Sequence, residues 1–147
     1  MESARLSALF DDYARYHAHP MNKLCHYFGI PLIAFTVVGL LAKVDLGMAL
    51  AVFVAVTLYQ LTLSPPLTLG FALFLALSFL AAPGLSWGVL WAGFVIGWVL
   101  QFGGHYVFEK KSPAFFANLR QLLAGPLWVI ASLMGMASSS RPEKAKS

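Results

Sequence analysis

Apolar residues run through this chain in blocks, and short polar breaks separate them. From Ser3 to Tyr16 the pattern has a helical period: Leu6, Leu9, Phe10 and Tyr13 recur three and four apart, with Arg5, Asp11, Asp12 and Arg15 on other faces. That spacing predicts an amphipathic helix lying along an interface. Pro20 closes it, because the residue before a proline is pushed out of helical geometry. Asn22 predicts the N-cap of a second helix running to Lys43. At 1.5 Å per residue that stretch reaches about 33 Å, enough to cross a bilayer. Pro31 lies inside it and predicts a kink near His26.

Lys43-Val44-Asp45 predicts a turn, and Leu46 to Leu63 a second span that ends at Ser64-Pro65-Pro66. Leu67 to Ala82 predicts a third, stopped by Pro83-Gly84, and Trp87 to Phe108 a fourth, with Trp87 and Trp91 near its start as interfacial aromatics often are. After Ser112-Pro113, the segment from Pro113 to Leu123 opposes Phe115, Phe116, Leu119 and Leu122 to Asn118, Arg120 and Gln121, the pattern of a second interfacial helix. Pro126 to Met136 is apolar but only about half the length of a span, which predicts a re-entrant or interfacial piece. The expected fold is an all-α integral membrane bundle of about four transmembrane helices with interfacial amphipathic helices. It forms a single membrane domain over 1–137, followed by a polar, disordered tail over 138–147.

Composition agrees with the pattern: 59% of the residues are hydrophobic and 11% charged, outside the usual soluble balance. The net charge of +4 does not point to nucleic acid, because the basic residues stand in short segments between apolar blocks, where anionic lipid headgroups are the fitting partner. Residues 1–16 lack the apolar core of a secretory signal, so the N-terminus is expected to stay on the side where it is made. Cys25 is the one cysteine and can form no intrachain disulfide; packing is its expected role. Arg5, Arg15, Lys23, Lys110, Lys111 and Arg120 fall on one predicted face and Lys43 on the other, so both termini and the first face are expected to be cytoplasmic.

The chemistry concentrates on that face. His17, His19 and His26 stand within ten residues of one another, and His105 lies at the far end of the fourth span. An even number of crossings returns His105 to the side of His26, so the four imidazoles can converge. On the fourth span Gly93, Gly97, Gln101, His105 and Glu109 recur every fourth residue, a stripe expected to face the bundle. Imidazoles beside a carboxylate suit iron, zinc or copper. Glu109, one turn beyond His105, is a candidate ligand with His17, His19, His26 and His105; the competing expectation pairs it with Lys110, Lys111 or Arg15. His19 is the weaker candidate, because residues two apart on a helix face different ways. Asn22, Lys23, Gln101, Asn118 and Arg120 are the polar groups available near that face to a substrate. On these residues alone a zinc-dependent membrane hydrolase and a non-enzymatic membrane module with packed histidines remain open.

Two motifs narrow this. Tyr16-x-x-x-Pro20-x-Asn22-Lys23-x-x-His26-x-x-Gly29-Ile30-Pro31, with His17 inside it, resembles the first signature of the membrane-bound 2-hydroxy fatty acid dioxygenases. Gln101-Phe102-x-Gly104-His105-x-x-x-Glu109-Lys110-x-x-Pro113-Ala114-x-x-x-Asn118-Leu119-x-Gln121, followed by Leu122-Leu123-x-x-Pro126, resembles the second. The resemblance implies an iron(II) enzyme of fatty-acid alpha-oxidation that uses dioxygen to shorten a 2-hydroxy fatty acid by one carbon. His17, His26 and His105 match that family's recurrent histidines, while His19 falls outside them.

Overall fold

Each apolar block folds as a helix, and each polar break supplies a cap or a turn. A computed structural model of the chain describes residues 4–136, and among them all regular structure is helical. The helices are α1 (Ala4–Tyr16), α2 (Pro20–Val44), α3 (Leu46–Leu61), α4 (Pro65–Ala81), α5 (Trp87–Gly103) and α6 (Arg120–Leu133). Single tight turns occupy Ala82–Gly84 and Ala114–Phe116, and a π-helical turn, Gly104–Glu109, extends α5. The predicted tail over 138–147 lies outside the described residues.

The starts follow local chemistry. Pro20 and Pro65 sit in the first turn of α2 and α4, where a missing N–H has no helical partner to lose. The Asp45 carboxylate accepts from Met48 N at 2.6 Å to start α3, and Ser86 Oγ accepts from Val89 N at 3.3 Å to start α5. Two expectations are corrected. Asn22 is not the cap of α2: His19 caps it, its Nδ1 accepting from Met21 N at 3.1 Å, because Pro20 already has helical φ and begins the helix. Pro113 to Leu123 is not one interfacial helix. It breaks after Phe116, and Asn118 Oδ1 accepts from Arg120 N at 3.1 Å, opening α6, which runs on through Pro126. The two terminal segments expected to be separate are therefore largely one helix.

Three stretches, Pro20–Val44, Pro65–Gly84 and Trp87–Glu109, are long and apolar enough to cross a bilayer. At 16 residues α3 reaches about 24 Å and is shorter, yet it still runs the length of the bundle. Its beginning lies beside Lys43, whose ammonium stands 5.7 Å from the Trp87 ring, and its end donates from Gln60 Nε2 to Leu123 O of α6 at 3.0 Å. The chain thus passes along the bundle four times. Leu80 at 83% exposure and Leu69 at 71% are among the most exposed residues of its outer surface, an apolar area that in water would be an aggregation site and in lipid is the required one.

The centre of the fold is the antiparallel pair α2 and α5. A Cβ built on Gly97 would stand 2.6 Å from Ile33 Cγ1, and one on Gly93 would stand 2.8 Å from Thr36 Cγ2, so the glycine stripe does face its neighbour and draws the backbones together. Across from this pair, Leu6 of α1 packs with Leu67 of α4 and Leu127 of α6 in the largest buried cluster. That packing seats α1 against the bundle and brings the end of α1 to the start of α2.

Candidate metal centre

His17 follows the last turn of α1, His26 sits in the second turn of α2, and His105 lies in the π-helical turn after α5. Their ring centroids are 4.3 Å (His17 to His26), 4.7 Å (His17 to His105) and 4.8 Å (His26 to His105) apart. All three are buried, and each offers one nitrogen within 4.8 Å of the others.

Hydrogen bonding decides what those nitrogens are. His17 Nδ1 lies 2.7 Å from Tyr13 O, and His26 Nδ1 lies 2.8 Å from Asn22 O. A carbonyl oxygen only accepts, so both Nδ1 atoms carry the proton and both Nε2 atoms present a lone pair. These two Nε2 atoms stand 3.0 Å apart. Burial, and next the neighbouring His26, push the His17 pKa down to about 2 against the opposing hydrogen bond to Tyr13, so its ring is neutral at physiological pH. Two lone pairs aimed at each other in a dry site repel unless a cation lies between them. His105 Nδ1 is also buried without a partner. Three neutral imidazoles with unspent lone pairs are the donor set of a borderline transition ion, so the residues fit iron, zinc or copper.

The remaining candidates lie around the triad. Exposed His19 spends its Nδ1 on capping α2, and its backbone N–H donates to Glu109 Oε1. The π-helical turn explains Glu109: its wider winding rotates the positions after His105, so the one-turn spacing does not bring this carboxylate into the triad. Lys110 closes that turn in the left-handed conformation at φ 56°. Buried Asn22 donates from Nδ2 to Tyr16 O at 3.1 Å, and half-buried Lys23 is close enough to His17 to disfavour its protonation. Buried Gln101 leaves Nε2 without a partner beside Gly29. Asn118 and Arg120 are on the outer surface, in a shallow groove with Phe115 and Leu119.

Beneath the triad a cavity of about 310 Å³ extends into the bundle. It is within the size range of small-molecule sites. Two residues that sequence reasoning passed over belong to this region. Tyr13 stacks on His17 at 3.8 Å and 6°, and Trp128 of α6 stands 4.9 Å from Tyr13 and 5.8 Å from His17. The four-residue spacing of Tyr13 and His17 was a usable signal; for Trp128, more than a hundred residues away, there was none.

Comparison with known proteins bears on the same segments. A family profile described as "Mpo1-like: 2-hydroxy-palmitic acid dioxygenase Mpo1-like" matches residues 3–63 and 67–137, which takes in all three histidines. The 2-hydroxy-palmitic acid dioxygenase MPO1 of Saccharomyces cerevisiae is 31% identical over 140 residues, covering 80% of this chain and 73% of the relative. No solved structure gives a significant match. A profile match over nearly the whole chain, joined to a relative of that identity and coverage, establishes that this chain belongs to the Mpo1-like family.

Proposed function

We propose that this protein is an iron(II)-dependent dioxygenase that shortens a long-chain 2-hydroxy fatty acid by one carbon, losing the carboxyl carbon, at the cytoplasmic surface of a membrane. The observation that carries this reading is the convergence of unspent imidazole lone pairs, with His17 Nε2 and His26 Nε2 3.0 Å apart, at the head of an apolar cavity. The name of the yeast relative supplies the substrate class and the use of dioxygen. Iron(II), when bound, supplies a centre at which the hydroxyl and carboxylate of the acid are chelated and dioxygen is activated. His17, His26 and His105 hold it. The carbonyls of Tyr13 and Asn22 fix the tautomers of two of them, the usual work of groups behind a metal ligand.

The rest of the site orients the substrate. Gln101 Nε2 is an unspent donor in the cavity wall, placed for the carboxylate, and the apolar walls take the acyl chain. Lys23 adds positive charge close to the triad. Asn118 and Arg120, in the outer groove, meet headgroups or an arriving carboxylate. His19 and Glu109 join the start of α2 to the π-helical turn and so hold the rim together. Metal analysis and product analysis test this reading together. The purified protein should carry iron and convert 2-hydroxypalmitic acid to pentadecanoic acid only with dioxygen, with palmitic acid a poor substrate. Zinc as the native metal, or full turnover after chelation, would overturn it.

A further inference from the structure

Polar groups line the cavity at one end of the bundle only. The three histidines, Gln101, Gln60 and Gln121 are there, Gln60 bonded to Leu123 O and Gln121 to Asp12 of α1. Away from that end the walls are apolar, and they stop at matching depth. Val37 lies eleven residues beyond His26 on α2, and Phe94 eleven residues before His105 on α5, each about 16 Å from its histidine by helical rise.

The cavity has an open side. Helices α3 and α5 both pack on α2 but scarcely touch each other, and both contribute to its lining. Val52 of α3 lines it and is nevertheless 43% exposed. Val95 and Val99 on α5 are exposed and apolar, and Val54 on α3 is turned toward α4, in a separate groove with Ala72 and Leu75. At the histidine end the lining includes buried Ala114 and Gln121, with the exposed Leu122 beside them.

We infer that the acyl chain of the substrate enters sideways from the bilayer, through the slot between α3 and α5, and that Val52 and Val56 on one wall and Phe94 and Trp98 on the other select which chains fit. The inference rests on the reaction proposed above. A chain moving from lipid into this slot exchanges one apolar surrounding for another and never exposes its methylenes to water. The polar head, arriving last, meets the donors at the histidine end. Side chains along the slot therefore act on chain length and branching, while the histidine end acts on the head.

Bulky substitution tests this in the full protein reconstituted in bilayers. Val52→Trp and Val56→Trp should raise KM for 2-hydroxypalmitic acid by roughly tenfold or more, the scale on which a filled apolar pocket rejects a substrate, and spare the short, soluble 2-hydroxyoctanoic acid. Val54→Trp, on the same helix but in the separate groove toward α4, should change neither. A 2-hydroxy acid carrying a diazirine at its chain end supplies a second measurement on the unsubstituted protein: label should fall on α3 and α5 around Val52 and Phe94. Long-chain kinetics unaffected by both slot variants, or label on Phe115 to Arg120 instead, would overturn the slot. Absence of turnover with either acid, with slot labelling retained, would instead overturn the assigned reaction.

Discussion

Asn22 acts through three atoms at once. Its main-chain oxygen holds the His26 ring, its Nδ2 holds the Tyr16 carbonyl next to His17, and its Oδ1 lies where a Cβ on Gly104 would strike it. The side chain therefore ties the end of α1 to the start of α2 beside the π-helical turn that carries His105. In Asn22→Ala the His26 contact survives, being main chain, and the loss falls on the Tyr16 link. The lost hydrogen bond costs about 0.5–1.5 kcal/mol, and loss of a group behind metal ligands typically weakens the ion by about 10–100-fold. Iron affinity measured by chelator competition should fall on that scale with the apparent Tm lowered; unchanged affinity would show that Asn22 does not hold the site.

Helix packing sets the separation of His26 and His105, since they sit on α2 and α5. Gly97 is a close backbone approach of the two helices, 3.3 Å separating its hypothetical Cβ from Gly29 O and from Ile33 N. Backbone atoms at that distance cannot move aside as the end of a side chain can. Gly97→Leu should therefore separate the two helices, at a cost of about 1–3 kcal/mol for overpacking, and lower both iron content and Tm. Gly88→Ala, on the same helix with nothing within 4 Å, should keep both, and gains helix propensity. Equal behaviour of the two variants in thermal unfolding and metal analysis would count against this account.

The whole molecule has a charge asymmetry to match its polarity of function. Arg15, Lys23, Lys110, Lys111 and Arg120 gather at the triad end, where Lys111 Nζ reaches Arg15 O at 3.5 Å, and Lys43 stands at the other end against Trp87. On this asymmetry we propose that the histidine end and both termini face the cytoplasm, the side on which basic residues are retained. A protease-sensitive tag at either terminus should be cut from the cytoplasmic side and protected from the other. Protection in the reverse sense would place the histidine end outside.

Much of this architecture is written along the chain because the driving pattern is local. An apolar block bounded by Pro, Gly, Ser or Asp must be a helix if it is to hide its backbone in lipid, and the number of blocks decides which helix ends share a face. That reasoning brings His26 and His105 to one end and turns Gly93 and Gly97 inward. It does not reach features settled by contacts between distant segments. The four-residue period implied that Glu109 would follow His105 into the site, yet the π-helical turn rotates it onto the His19 N–H. Asn22 had the composition of a cap and became a brace, because Pro20 began the helix first. Trp128 reached Tyr13 only because α6 continued through Pro126. Above all, which nitrogens of His17 and His26 are free follows from the carbonyls they face, and three of the four histidines in the sequence converge only in the folded chain.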